Sequence, residues 1–229
     1  MRRDFQFLAV VLTLILGRLI MSDLPAASAA SSSEEDAAYT RAITNRADKI
    51  VAPLGLDDVA KATRVRDLIV NQYRSLSAIH AARDAKIAEA AGKPASDPVA
   101  QAWKGLAAKE ADLKLFPLHR QFVARLDAEL TPEQVNQVKD GLTYGVVPIT
   151  FKRYCELLPE LTVEQRAEVL ANLLEAREYA MDAGSSDEKH AWFGKYKGRI
   201  NNFISAADFN MKQAEKDLAE REKAAAAKP

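Results

Sequence analysis

The sequence contains the pattern Leu-Thr-x-Glu-Gln twice, at Leu130–Gln134 and at Leu161–Gln165. In each copy the threonine hydroxyl can accept a hydrogen bond from the backbone N–H of the glutamine, whose side chain can reach back to the threonine N–H. Pro132 follows the first threonine, at the helix position where a missing N–H costs nothing. The two copies therefore predict two amphipathic helices that begin in the same way.

The amino-acid composition favours an all-α fold. The 229 residues are 48% hydrophobic and 28% charged but only 7% aromatic, with nine glycines, which suits Ala-rich and Leu-rich helices better than a β-sandwich or barrel. Apolar periodicity predicts a helical bundle of about six to seven helices, with long amphipathic helices and a fraying C-terminal helix. We predict a single helical domain at residues 37–214, after a flexible lead-in at residues 30–36 and before a charged, Ala-rich tail at residues 215–229.

The N-terminus, residues 1–29, is typical of a signal peptide. Arg2-Arg3 precedes the apolar run Phe7–Leu16, and small residues follow as far as Ala27-Ser28-Ala29, an A-x-A cleavage pattern. Arg18 interrupts the apolar stretch before it reaches the ~20 residues of a membrane span. The sequence therefore predicts an exported protein, periplasmic or extracellular, with no permanent membrane span after cleavage. Sec export and twin-arginine export both remain open.

Three further segments have specific structural expectations. Pro117 lies in a helical pattern and predicts either a kink or a new helix. The β-branched stretch Val146–Thr150 is predicted to be an extended connector. Apolar residues at steps of three and four from Phe193 to Leu218 predict one continuous seam, with a solvated chain from Glu215 onward.

Charge and motifs exclude several classes of function. The 32 basic and 32 acidic residues give a net charge of zero, so no global field attracts nucleic acid. The single cysteine, Cys155, excludes an intramolecular disulfide and is interpreted as a core residue. The sequence has no phosphate-binding glycine loop, G-x-S-x-G elbow, H-E-x-x-H or haem motif. No histidine follows a glutamate by three residues, so neither a metal nor a cofactor is predicted, and catalytic residues stay unknown.

The strongest candidate binding surface lies on the helix predicted around residues 190–202. Gly194 and Gly198 cost about 1 kcal/mol each inside a helix, which calls for a compensation. In a structural explanation, the glycines let a neighbouring backbone approach; in a functional one, Trp192 stacks on a ring while nearby donors bind an anionic or polyhydroxyl ligand. The candidate ligand-binding residues are His190, Trp192, Lys195, Arg199, Asn201 and Asn202.

Two resemblances add to these inferences. The Leu-Thr-x-x-Gln element, at Leu130–Gln134 and Leu161–Gln165, is similar to a short motif of Spy-type periplasmic chaperones, which are helical cradles for unfolded chains. The segments Ala47–Leu56, Lys139–Pro148 and Met181–Asn202 resemble a family of exported bacterial proteins known only as a domain of unknown function. That resemblance implies export and a helical domain, and it assigns no catalytic residues.

The absence of catalytic motifs and the long amphipathic helices favour a noncovalent function. We expect a binding or interaction protein of the cell envelope, chaperone-like or a scaffold, whose partner is another polypeptide. The alternative is a carbohydrate-associated binding module, or a polysaccharide-acting enzyme, that uses the Trp192–Asn202 surface. The orientation of Trp192 discriminates between them, because a stacking platform must face an open groove.

Overall fold

The computed structural model describes residues 26–89, 94 and 96–226, and this part of the chain contains helices but no strand. The all-α helical bundle is confirmed, with eight α-helices among the described residues instead of six to seven. The helices are α1 (Ala26–Val51), a 3₁₀ helix (Ala52–Leu54), α2 (Val59–Glu89), α3 (Pro98–Glu129), α4 (Pro132–Leu142), α5 (Val146–Leu157), α6 (Val163–Met181), α7 (Ser186–Ala206) and α8 (Met211–Ala226).

The chain divides into two compact units, residues 1–39 and residues 40–229. In the first unit the described residues form the N-terminal part of α1, which begins at Ala26 and includes the predicted lead-in at residues 30–36. Most of the predicted signal peptide, residues 1–25, lies outside the described part of the chain. Among the described residues, no helix combines the length and apolar character that a membrane crossing requires.

Both predicted capping boxes are confirmed. In the first, the Thr131 hydroxyl accepts from the Gln134 N–H at 3.3 Å, and the Gln134 side chain accepts from the Thr131 N–H at 3.1 Å. The corresponding distances between Thr162 and Gln165 are 3.2 and 2.9 Å. The repeated pattern thus starts α4 and α6, which are in contact with each other.

The buried apolar residues form two clusters. The N-terminal core joins the end of α1 to the 3₁₀ helix, α2, α3 and α4, and it also takes Met181 from the end of α6. The C-terminal core joins α5, α6, α7 and α8. Helices α2 and α3 pack along each other, as do α6 and α7. Helix α6 therefore contributes to both cores.

The predicted extended connector at Val146–Thr150 is wrong, because these residues form the first turn of α5. Tyr144 (φ 60°) and Gly145 (φ 66°) adopt left-handed conformations that reverse the chain after α4. Pro148 lies in the first turn of α5, where a backbone N–H would have no acceptor within the helix. The N–H that proline lacks is therefore not needed there. Burial of Val147, which is 4% exposed, outweighs the low helix propensity of the β-branched residues.

Pro117 neither ends a helix nor starts a new one, since α3 continues through it from Pro98 to Glu129. A proline inside a helix costs about 3 kcal/mol. Extensive packing of α3 against α2 offsets that cost.

The predicted continuous seam from Phe193 to Leu218 is also wrong. Helix α7 ends at Ala206, Asp208 adopts a left-handed conformation (φ 63°), and α8 begins at Met211. Helix α8 then packs against α5, so that Leu218 is only 6% exposed instead of solvated. The turn places the last apolar residues of the pattern on a second surface of the C-terminal core.

Candidate functional site

A groove of about 660 Å³ lies among α2, α3, α6 and α7. The size is within the usual range for ligand sites, roughly 300–1,000 Å³. Its apolar wall consists of Leu115, Phe116, Tyr179, Ala183, Ala191 and Trp192. Its polar groups belong to His80, Arg83, Asp112, Asp182, Glu188 and Lys195.

Trp192 lines the groove but already has two partners. The Tyr179 ring stacks on the indole at 4.5 Å between centroids, and the Lys195 ammonium lies over the indole at 4.9 Å. Both contacts cover part of the indole. A sugar that stacked on Trp192 would have to displace one of them.

Phe116 is the most accessible aromatic residue of the groove. Its side chain is 66% exposed, and the Arg120 guanidinium lies 5.6 Å from its ring centroid. A second depression begins on its other side, lined by Lys109, Asp112, Leu113 and Phe116. Leu113 is 76% exposed. Phe116 thus lines two adjoining concave surfaces, and most of its apolar surface is exposed to solvent.

His80 is a buried residue in the lining of the groove. The residue is 6% exposed, and its Nε2 atom lies 2.7 Å from the Asp182 carbonyl oxygen. A carbonyl accepts only, so Nε2 carries a proton in this contact. The imidazole packs so closely on the next turn that a Cβ at Gly184 would lie 2.6 Å from the His80 Cγ atom. This contact explains the glycine.

His119 is held between two carboxylates beside the groove. Its Nδ1 atom lies 3.0 Å from Asp182 Oδ2, and its Nε2 atom lies 3.3 Å from Glu178 Oε2. The carboxylates of Asp182 and Glu178, in contact with its two ring nitrogens, raise the pKa of His119 to about 9, against the opposing effect of burial. Burial also opposes ionisation of Glu178, but His119 and Lys139 lower its pKa to about 2. The imidazolium is a fixed structural charge at neutral pH.

Arg177 links the same network to α4. Its side chain is 4% exposed, and it donates to Asp140 Oδ1 at 2.8 Å and to Asn136 Oδ1 at 2.7 Å. Lys139 donates to Glu178 at 2.8 Å. Helices α3, α4 and α6 are therefore joined by one chain of partly buried ionic contacts.

Lys189, also on α7, is buried but does not line the groove. Its ammonium donates to the Leu142 carbonyl at 2.8 Å and lies 6.0 Å from the Tyr73 ring and 5.8 Å from the Tyr144 ring. Burial lowers the pKa of Lys189 to about 8; the charge of Arg46 acts in the same direction and that of Asp182 opposes it.

The structure brings only two of the six predicted ligand-binding residues into the groove, Trp192 and Lys195. The others lie elsewhere on α7. His190 stacks on Tyr144 at 5.8 Å; Arg199 donates to Glu175 at 3.2 Å; Asn201 accepts from the Tyr154 hydroxyl at 2.7 Å; and Asn202 is exposed. The predicted surface is thus divided among several faces of the helix.

The structural explanation for Gly194 and Gly198 is wrong. A Cβ atom at either position would have nothing within 4 Å, so no neighbouring backbone approaches them. We therefore expect Gly194→Ala and Gly198→Ala each to stabilise the protein by about 1 kcal/mol, because alanine is the better helix former. Urea denaturation measures the effect. Gly184→Ala is the matched contrast and should destabilise, since its new methyl would collide with His80.

Sequence reasoning missed most of the groove. Phe116, Asp112, His80 and Asp182 come from three elements whose proximity depends on how α2, α3 and α6 pack. A local signal existed only for Phe116, which is followed by Pro117 and lies off the buried face of α3 that carries Ala107, Ala111 and Phe122. The other residues look like ordinary surface positions in the sequence.

Several charged groups at the groove are engaged with one another. His119 is engaged by carboxylates on both ring nitrogens, and Arg83 donates to Asp84 at 2.8 Å and to Glu188 at 3.0 Å. Within the described residues, no group of three His, Cys, Asp or Glu side chains is arranged to hold a metal ion. The accessible features are an apolar wall and a few polar atoms, which is the usual composition of a ligand-binding pocket or an active site.

Comparison with curated proteins finds no match for this sequence. A family model described as "Protein of unknown function (DUF3826)" matches residues 40–224, which is most of the chain and includes every residue of the groove. The resemblance to a family known only as a domain of unknown function is thereby confirmed, and the chain belongs to the DUF3826 family.

Proposed function

We propose that this protein is an exported binding protein of the cell envelope that holds a segment of another polypeptide in the groove among α2, α3, α6 and α7. The observation that carries the proposal is the exposed Phe116 side chain between two adjoining depressions. Apolar side chains of a partner can cover Phe116 and Leu113 without any rearrangement of the cores. The export step rests on the predicted signal peptide, and N-terminal sequencing of protein from the envelope fraction tests it.

A carbohydrate ligand is the second candidate. Trp192 and Lys195 line the same groove as three carboxylates, which offers sugar hydroxyls both an aromatic ring and hydrogen-bond partners. The contacts that already cover part of the indole count against this candidate. Phe116 offers an alternative ring for stacking, and it would serve a sugar as well as a peptide.

The experiment is a binding screen of the protein lacking its signal peptide against an array of short synthetic peptides and a glycan array. Phe116→Ser should weaken peptide binding by at least about tenfold, since burying a phenylalanine side chain is worth about 1.5–3 kcal/mol. The matched control is Ile149→Ser on α5, because Ile149 is 67% exposed and Phe116 is 66% exposed.

The outcomes separate the candidates. Peptide binding that Phe116→Ser weakens and Ile149→Ser leaves unchanged supports the proposed function. Binding to glycans alone, lost in Phe116→Ser or Trp192→Ala, supports the second candidate. Equal effects of the two serine substitutions, or no binding to either array, would overturn the assignment of the groove.

A further inference from the structure

We propose that the bound polypeptide segment is an acidic amphipathic helix that lies along α3 and reaches the groove at Phe116. This inference rests on the proposed function, and it names the conformation and the charge of the partner. The surface that carries it is a row of exposed, large apolar side chains on α3, which we call the α3 stripe. The α3 stripe consists of Val99, Trp103, Leu106, Leu113 and Phe116.

The residues of the α3 stripe are exposed although they are large and apolar. Their exposed fractions are 52, 49, 49, 76 and 66% in chain order. Helix α3 packs along α2 and buries a different set of residues, which is Ala100, Ala107, Ala111, Phe122 and Leu126. The exposed part of the stripe amounts to roughly 500 Å², near the upper end for the largest apolar patch of a monomer. A partner that covered it would form an interface of about 1,000 Å² in total, which is enough for a specific complex.

The spacing of the α3 stripe suits a second helix. Its successive members are four, three, seven and three residues apart, which are the steps by which one helix packs along another. From Val99 to Phe116 the stripe is about 26 Å long, or roughly five helical turns. An extended segment repeats its side chains every second residue and would not keep this period. The geometry therefore favours a helical partner over an extended one.

The charges beside the α3 stripe are mainly positive. The exposed cations of this part of α3 are Lys104, Lys109, Lys114 and Arg120. None of the three lysines has an ion pair within the described part of the chain. Among the carboxylates there, Glu110 is already paired with Lys86 of α2, and only Asp112 opposes the cations.

This charge distribution discriminates between possible partners. A second copy of the chain would place the same cations on both sides of a two-fold interface, where like charges repel. A helix with Asp or Glu beside its own apolar residues would instead form ion pairs with them. Charge complementarity therefore favours an acidic helix over a second copy.

The groove continues the α3 stripe, because Phe116 belongs to both. Two carboxylates of the groove lining, on Asp182 and Glu188, are already engaged by His119 and Arg83. They therefore oppose an acidic partner less than unpaired carboxylates would. One end of the partner helix can thus enter the groove while the rest lies along α3.

The first test varies only the ligand. The probe is a peptide of about 21 residues, roughly 32 Å long as a helix, with Leu at heptad positions a and d and Glu at e and g. Its like charges oppose pairing with itself. Fluorescence anisotropy at low salt, with the whole exported chain, compares it with a scrambled peptide of the same composition and with a version that has Lys in place of Glu. We expect the acidic helix to bind at least about tenfold more tightly than either, and its circular dichroism should show added helix on binding.

The second test varies an apolar residue of the protein. Leu106 does not line the groove, so Leu106→Ser tests the α3 stripe separately from Phe116. It should weaken binding of the acidic helix about threefold to tenfold, since a half-exposed leucine loses its apolar cover in the complex. The matched control is Val163→Ser on α6, because Val163 is 79% exposed and should not affect binding.

The third test reverses charge. Lys109→Glu combined with Lys114→Glu should reverse the preference, so that the Lys version of the peptide binds more tightly than the Glu version. The control is Lys212→Glu, an exposed lysine on α8, which should preserve the preference. Circular dichroism checks the folding of each variant. If an altered protein fails to fold, the ligand series alone still decides.

Two results would overturn the helical partner while leaving polypeptide binding in place, provided that array peptides still bind through Phe116. They are equal affinity for the acidic and scrambled peptides, and binding without a gain of helix. Flotation of the chain with phosphatidylglycerol vesicles, abolished by Leu106→Ser, would also overturn it, because a lipid surface would then cover the stripe. So would a dimer in light scattering that Leu106→Ser dissociates.

Failure of the proposed function gives a different result. In that case neither the array peptides nor the acidic helix would bind, and the helical partner would be overturned together with the polypeptide-binding groove. The two failures are therefore distinguishable by whether any array peptide binds.

Discussion

Arg177→Ala is expected to lower the free energy of unfolding by about 3 kcal/mol or more, the usual cost of removing one partner of a buried ion pair. The guanidinium is 4% exposed and holds Asp140 and Asn136 of α4 from its position on α6. Without it, Asp140 loses its ionic partner, Asn136 loses a donor, and a cavity opens between α4 and α6. Urea denaturation monitored by circular dichroism gives the difference.

Arg199→Ala is the matched control. Arg199 pairs with Glu175 at 3.2 Å, but both side chains are about half exposed, at 53% and 48%. Exposed pairs contribute about 0–1 kcal/mol, so this substitution should change stability little. Similar losses of stability in the two variants would show that burial does not make the Arg177 ion pair more important than an exposed one.

The free energy of unfolding is expected to have a minimum between pH 8 and pH 9. The pKa of His119 rises on folding from 6.5 to about 9. Its contribution is therefore complete below pH 6.5 and is lost as the pH rises towards 9, because the folded state binds the extra proton in that window. Between pH 6.5 and pH 8 the expected loss is on the order of 2 kcal/mol.

Lys189 acts in the opposite direction. Its pKa falls on folding from 10.5 to about 8, so the unfolded state binds the extra proton between these values and stability increases with pH there. The two effects overlap between pH 8 and pH 9 and nearly cancel. Above pH 9 the lysine effect remains, and the protein should regain stability up to about pH 10, where burial of Tyr196, whose pKa is raised from 10.0 to about 12, begins to oppose it.

Two substitutions separate these effects in denaturation curves collected from pH 6 to pH 10. His119→Gln should remove the fall on the acid side of the minimum, and Lys189→Met should remove the rise on its alkaline side. His190→Gln, which removes an exposed imidazole from the same helix as Lys189, should preserve the shape. A curve that is flat in the unaltered protein would refute the assigned charge states.

The sequence was informative wherever a local rule determines the structure. Thr131 and Thr162 start helices because a side-chain hydroxyl and a glutamine within one turn are enough to satisfy the exposed N–H groups. Trp192 has basic neighbours in the sequence, and in the structure it lines the groove together with Lys195. These inferences need only residues that are close in the chain.

The errors arose where distant segments decide the outcome. Val146–Thr150 has a strand-like composition, but two left-handed residues and the burial of Val147 make it helical. Leu218 looked solvated because the sequence does not show that α8 turns back onto α5. The carboxylates that contact His119 and the α4 residues that accept from Arg177 lie in other helices, so no local pattern in the sequence identifies these contacts.

The sharing of α6 between both cores has a mechanical consequence. Val169, Leu173, Ala176 and Ala180 belong to the C-terminal core, while Met181 belongs to the N-terminal one. Unfolding of either core would therefore expose apolar residues of the other core to solvent. Two fragments divided between α4 and α5 would therefore not fold independently. A destabilising substitution in one core would also lower the stability of the other core.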